Sequence, residues 1–195
     1  MKKALSLLLA SVLLMPCISA CTESNKIEDL PNVVIIDVKD YGKMKVELYP
    51  DIAPITVQNF KKLVNEKFYD GLIFHRVIEG FMIQGGCPQG NGTGGYTDEN
   101  GNKVTITGEF SANNFKNTLA HTRGVISMAR SSAPNSASSQ FFICHATASH
   151  LNGQYAAFGK VIEGLEVVDA IAAVKTNSSD KPLTDVVITS ITFAE

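Results

Sequence analysis

Apolar positions fall in short runs along this chain, and their spacing changes period at a few well-marked points. Residues 33–38 and 43–49 are β-rich runs separated by Asp40-Tyr41-Gly42, which predicts a hairpin whose turn uses the glycine. Pro54 then suits a first helical turn, and Ile55, Phe60, Leu63 and Val64 recur at helical spacing, so a helix is expected over 54–67. Residues 72–84 return to β character. Residues 85–101 are dominated by Gly, Asn, Thr and Pro, which predicts a long loop of the kind that usually serves function. Further strands are expected at 124–129, 140–144, 156–162 and 185–193, and a second helix at 165–174. No repeat is present. Short strands with two helices and no regular β-α alternation argue for a mainly β antiparallel barrel or sandwich rather than a doubly wound sheet.

The first twenty residues stand apart from this pattern. Lys2 and Lys3 precede an apolar run from Ala4 to Met15, followed by small residues around Ser19-Ala20, the layout of a secretory signal. The run is too short to span a bilayer. Ile18-Ser19-Ala20-Cys21 resembles the bacterial lipobox, whose cysteine is acylated and becomes the first mature residue; an ordinary signal peptide cut nearby is the simpler alternative. On the lipobox reading, residues 1–20 are the signal, 21–31 a lipidated Cys21 and flexible polar tether, and 32–195 one domain. The location expected is the bacterial cell envelope, on its periplasmic or outer surface, with the lipid of Cys21 in a membrane.

Removal of residues 1–20 takes two of the 17 basic residues and none of the 19 acidic ones, leaving a formal charge of −4. The remaining basic residues are scattered, without the aromatic-interleaved clusters that bind nucleic acid. Cys17 leaves with the signal and Cys21 would carry lipid, so Cys87 and Cys144 remain; their separation in sequence says nothing about distance, and both are read as buried or free thiols.

Three segments concentrate unusual residues: Phe74-His75-Arg76-Val77-Ile78 running on to Gln84-Gly85-Gly86, then Met128-Ala129-Arg130, then Ser139-Gln140-Phe141-Phe142-Ile143. On a strand Arg76 shares a face with Phe74 and Ile78, Met82 with Gln84, and Gln140 with Phe142. An arginine among large apolar residues rarely goes inside without purpose. Spacing alone is equally compatible with an exposed arginine backed by packed aromatics.

These segments, with Gly80-Phe81-Met82, Asn91-Gly92-Thr93-Gly94-Gly95, Gly124-Val125-Ile126-Ser127-Met128-Ala129 and Phe158-Gly159-Lys160-Val161, resemble the cyclophilins in order from about Asn32 to the C-terminus. The resemblance implies a closed eight-stranded antiparallel β-barrel capped by two α-helices, acting as a monomer on Xaa-Pro bonds of polypeptides without cofactor or metal. It implies catalytic roles for Arg76, Gln84 and Phe81. Arg76 would donate to the prolyl nitrogen and Gln84 would hydrogen-bond both substrate and Arg76. Phe81, Met82, Phe142 and Leu151 would socket the proline ring, Ala129 and Arg130 would offer backbone groups, and Gln140 and Gly92 would line an adjacent pocket.

Departures from the common family pattern are equally specific. His150 stands where many members have tryptophan and Tyr155 where many have histidine, both at substrate-binding positions. Because the tryptophan supports cyclosporin binding, weak cyclosporin binding is expected. Arg130 and Ser131 replace an Asn-Ala pair, which leaves the preference for the residue before proline open.

Rival chemistries lack their signatures. His75, His121, His145 and His150 show no HxH, HExxH or CxxC spacing for a metal; no GxSxG elbow supports a serine hydrolase; and the 90–95 loop lacks the Lys-Ser/Thr of a phosphate cradle. The reading that competes is a peptide-binding chaperone module using the same groove without turnover.

Overall fold

The computed structural model describes residues 27–194, so the readings of a signal peptide and of Cys21 lie outside the described residues. Residues 27–31, read from sequence as tether, pack on the domain. Ile27 is buried, and Lys61 Nζ donates to the carbonyls of Leu30 (2.6 Å) and Glu28 (3.3 Å).

Strands β1 (Val33–Val38) and β2 (Gly42–Leu48) form the predicted hairpin, with Val38 opposite Gly42. Its turn needs positive φ at Asp40 (67°) and Gly42 (110°), which Asp and Gly reach at least cost. Helix α1 (Pro54–Asn65) follows. Its buried stripe is Val57, Phe60, Leu63 and Val64, whereas Ile55, expected on that stripe, is 40% exposed. Ala53 cannot cap the helix, and its first amides are taken instead by the fully buried Glu109, which accepts from Ile55 N (2.9 Å) and Thr56 N (2.7 Å). A carboxylate there satisfies amides that have no partner within the helix and meets the positive end of its dipole.

Then come β3 (Arg76–Ile78) and β4 (Met82–Gly85), a long connection containing a 3-10 turn (Ser111–Asn113), β5 (Val125–Met128), β6 (Phe141–Cys144), a second 3-10 turn (Ser149–Leu151), β7 (Ala157–Glu163), α2 (Leu165–Ala172) and β8 (Ile188–Phe193). The eight strands form one antiparallel sheet in the order β3-β4-β6-β5-β7-β2-β1-β8. The sheet curls around a core in which the Phe60 ring touches Tyr69, Phe141 and Phe158 at 5.2 to 5.6 Å. Buried Val167, Val168 and Ile171 join that core from α2.

Closure is less complete than the resemblance implied. The edge strands β3 and β8 share no ladder; one bridge, Ile73 to Val187, spans the seam with the bonds Phe74 N to Val186 O, Gly71 N to Ile188 O and Ile188 N to Leu72 O. The outer edge of β3 is covered instead by the 177–181 turn, where Val77 N donates to Asp180 O at 2.8 Å.

Candidate active site

On the sheet register, Arg76 lies opposite Gln84, Gln84 opposite Phe142, and Phe142 opposite Ser127. One row of residues therefore crosses β3, β4, β6 and β5. Phe74 does not belong to it, although alternation suggested so. The backbone is irregular before β3, and the Phe74 ring is fully buried in the main core while the Arg76 side chain is 42% exposed outside the wall. Met82, Phe142, Cys144, Ala148 and Leu151 form a second, smaller apolar cluster, flanked by Ile78, Phe81, Ala129 and Tyr155.

This cluster floors a cavity of about 550 Å³. Arg76, Phe81, Met82 and Gln84 line it from β3, β4 and the turn between them, Phe142 lines it from the neighbouring β6, and Leu151, Tyr155, Gly92, Ala129 and Arg130 complete the lining. A neighbouring cavity of about 320 Å³ has Gln140, Ser131, Ser136, Ser138 and Lys103 in its walls. His150, read from sequence as a substrate-binding residue, is exposed and does not line the main cavity; its ring tilts on Phe81, which does, at 5.5 Å.

The hydrogen bonds assign several roles differently from the sequence reading. Gln84 Nε2 donates to Gln140 Oε1 (2.9 Å), and the bond that orients Arg76 runs from Nε to Asp180 Oδ2 (3.3 Å) rather than to Gln84. The Ala129 N–H is already given to Gln140 O (2.9 Å), which leaves only its carbonyl for a peptide. The Arg130 side chain is held rather than free. Its guanidinium lies over Tyr155 (4.6 Å) and Phe110 (5.0 Å), and its Nε donates to Gln154 O (2.9 Å), so it presses the Tyr155 ring into place.

The glycine loop beside the cavity is pinned. Gln140 Nε2 donates to the carbonyls of Gly92 (2.8 Å) and Gly94 (2.7 Å), and the Cys87 sulfur accepts from the amides of the same glycines at 3.2 and 3.3 Å. Burial pushes the Cys87 thiol up, but hydrogen bonds from Asn91, Gly94, Gly92 and Gln89 outweigh it and set its pKa below the ordinary thiol value. Cys144, with burial alone acting on it, is pushed up to about 12. Both thiols are free.

Sequence reasoning missed two sets of residues. His75, Asn91, Thr93, Asn177, Ser179 and Lys181 also line the main cavity. Behind Phe142, His121 stacks at 6.0 Å and 17°. His121 Nδ1 meets Asn152 Oδ1 (3.1 Å), an acceptor only, so Nδ1 carries the hydrogen and Nε2 accepts from the Ser127 hydroxyl (3.0 Å). Burial lowers the pKa of His121, and burial followed by the charges of Lys181 and Arg76 lowers that of His75. Each is a lone histidine in its segment, with no spacing to mark it.

The family model described as cyclophilin type peptidyl-prolyl cis-trans isomerase/CLD matches residues 33–193. The chain belongs to the cyclophilin-type peptidyl-prolyl cis-trans isomerases. Similar cyclophilins include peptidyl-prolyl cis-trans isomerase B of Bacillus subtilis, 50% identical over 129 residues that cover 66% of this chain and 82% of the relative. The human peptidyl-prolyl cis-trans isomerase-like 3 is 41% identical over 156 residues, 79% of this chain and 91% of its own. A cyclophilin-type isomerase of Cryptosporidium parvum, solved in the presence of the dipeptide Ala-Pro, superposes with a TM-score of 0.75 at 35% identity, covering 84% of this chain and 99% of that one.

Proposed function

We propose that this peptidyl-prolyl cis-trans isomerase seats the proline of an extended polypeptide on the Phe81, Met82, Phe142 and Leu151 surface and stabilises the twisted amide with Arg76. Rotation about a peptide bond crosses a barrier of about 18–20 kcal/mol because amide resonance is lost near 90°. As resonance is lost, the prolyl nitrogen regains a lone pair. A guanidinium hydrogen aimed at that nitrogen bonds more strongly at the top of the barrier than in either end state, which is binding selective for the transition state. The observation that carries this reading is the half-exposed Arg76 guanidinium sharing one cavity with that apolar surface. The Cryptosporidium relative, solved in the presence of the dipeptide Ala-Pro, supports a proline-containing ligand as the class of substrate. Two or three apolar faces on one pyrrolidine supply roughly 2–3 kcal/mol of binding.

The signal layout and Cys21 support a site of action at the bacterial envelope, where the lipid holds the domain near newly exported chains. Uncatalysed prolyl isomerisation takes tens to hundreds of seconds, so a tethered isomerase removes a slow folding step. Exchange spectroscopy by NMR on an Ala-Pro tetrapeptide tests the activity. Catalytic amounts of protein produce cis-trans exchange cross-peaks on this reading, whereas shifted peptide resonances without exchange would favour the chaperone module.

A further inference from the structure

We propose that Asp180 is the positioning residue for this isomerisation, holding Arg76 through Nε so that the two terminal nitrogens of the guanidinium face the prolyl amide. The proposal rests on Arg76 being the donor to that amide. The Nε to Oδ2 contact is 3.3 Å, and both side chains are 42% exposed. A pair so open to water adds little to stability. What it supplies is direction, because a long side chain fixed at Nε can no longer swing its terminal nitrogens away from the cavity that it lines.

Asp180 is itself clamped to the strand that carries Arg76. Its carbonyl accepts from Val77 N (2.8 Å), its own N–H donates to Asn177 O (3.1 Å), and the Asn177 side chain accepts from the amides of Ser179 (2.9 Å) and Lys181 (3.1 Å). A bridge between Thr176 and Pro182 closes the turn. Asp180 has φ 61°, in the left-handed region where glycine would sit with less strain. Aspartate tolerates this conformation, as it does at Asp40, so the φ angle does not select the carboxylate; its bond to Arg76 Nε is what gives it a use. Gln84, the register partner of Arg76, gives its amide to Gln140, so the carboxylate takes over the aiming.

The backbone conformation decides the test. Asp180→Gly keeps the φ angle and the Val77 bond while removing the carboxylate, and Asp180→Asn keeps both together with an oxygen acceptor. We expect Asp180→Gly to lower kcat about tenfold with peptide affinity within about twofold of wild type, and Asp180→Asn to retain at least about a third of kcat. The Nε–H resonance of Arg76, slowed in exchange by its bond, persists in wild type and Asp180→Asn and is lost in Asp180→Gly. Wild-type kcat in Asp180→Gly, beside an inactive Arg76→Ala, overturns the role of Asp180 alone. Full activity in Arg76→Ala overturns the arginine reading, and the role of Asp180 with it.

Discussion

Arg76 and Gln84 face each other as register partners across β3 and β4, yet their side chains are fixed by different neighbours, Asp180 on one side and Gln140 on the other. The site is therefore two adjoining networks. One aims the arginine; the other ties the glycine loop to the strands.

The second network makes Gln140 a binding residue by way of the loop. Gln140→Ala removes the bonds to the Gly92 and Gly94 carbonyls and the acceptor for Gln84, leaving the two glycine amides on the Cys87 sulfur. Each lost hydrogen bond is worth about 0.5–1.5 kcal/mol. KM should rise roughly five- to tenfold with kcat changed less than about threefold, a split that steady-state kinetics on a tetrapeptide series will measure. A selective fall in kcat would place Gln140 in the chemical step instead.

Stability should fall at acid pH through the buried imidazoles. Burial holds His121 below its unfolded pKa, so the folded state binds fewer protons than the unfolded chain. The contribution of neutral His121 is fully present above about pH 6.5 and is lost as pH falls from there towards its lower folded value. Thermal melts from pH 8 to 5 should show a Tm that is flat above neutrality and declines below it, with a shallower decline in His121→Gln. A Tm that rises on acidification would contradict this.

How much of this was legible in the sequence depended on where regular periodicity held. The β1-β2 hairpin and both helices announce themselves by spacing and by Gly42 and Pro54. Parity failed between Phe74 and Arg76 because the chain is irregular before β3, so one residue enters the core while the other faces the groove. Ile55 fits a helical stripe in sequence, but its position faces solvent while Thr56 and Val57 of the same turn are the buried ones. Asp180 was invisible for a different reason. Asn177-Ser178-Ser179-Asp180 reads as an ordinary polar turn, and only its docking on β3, 104 residues from Arg76 in sequence, gives the carboxylate a partner. The family resemblance pointed to Gln84 for that task, and the geometry assigns its amide to Gln140.

Cyclosporin should inhibit weakly. His150 occupies the position where many cyclophilins carry tryptophan, and its smaller ring is tilted on Phe81. A titration should give inhibition well above the nanomolar range, and His150→Trp should tighten it at least about tenfold, or 1.4 kcal/mol. Nanomolar inhibition of the wild type would contradict the assignment.

The proposed lipid anchor rests on one atom, the Cys21 sulfur. In cells, Cys21→Ala should move the protein from the membrane fraction to the soluble one, and mass spectrometry of the wild type should find a diacylglyceryl-modified N-terminal cysteine. An unmodified mature N-terminus would establish the ordinary signal peptide instead.

The central claim is that the Arg76 guanidinium stabilises the twisted prolyl amide. Its most direct test is the cis-to-trans rate of an Xaa-Pro tetrapeptide with residues 22–195, wild type against Arg76→Ala, at low temperature where the uncatalysed rate is small. The account predicts a fast wild type and a variant with kcat/KM lower by at least about tenfold, or 1.4 kcal/mol of lost transition-state stabilisation. A variant as fast as the wild type would contradict it.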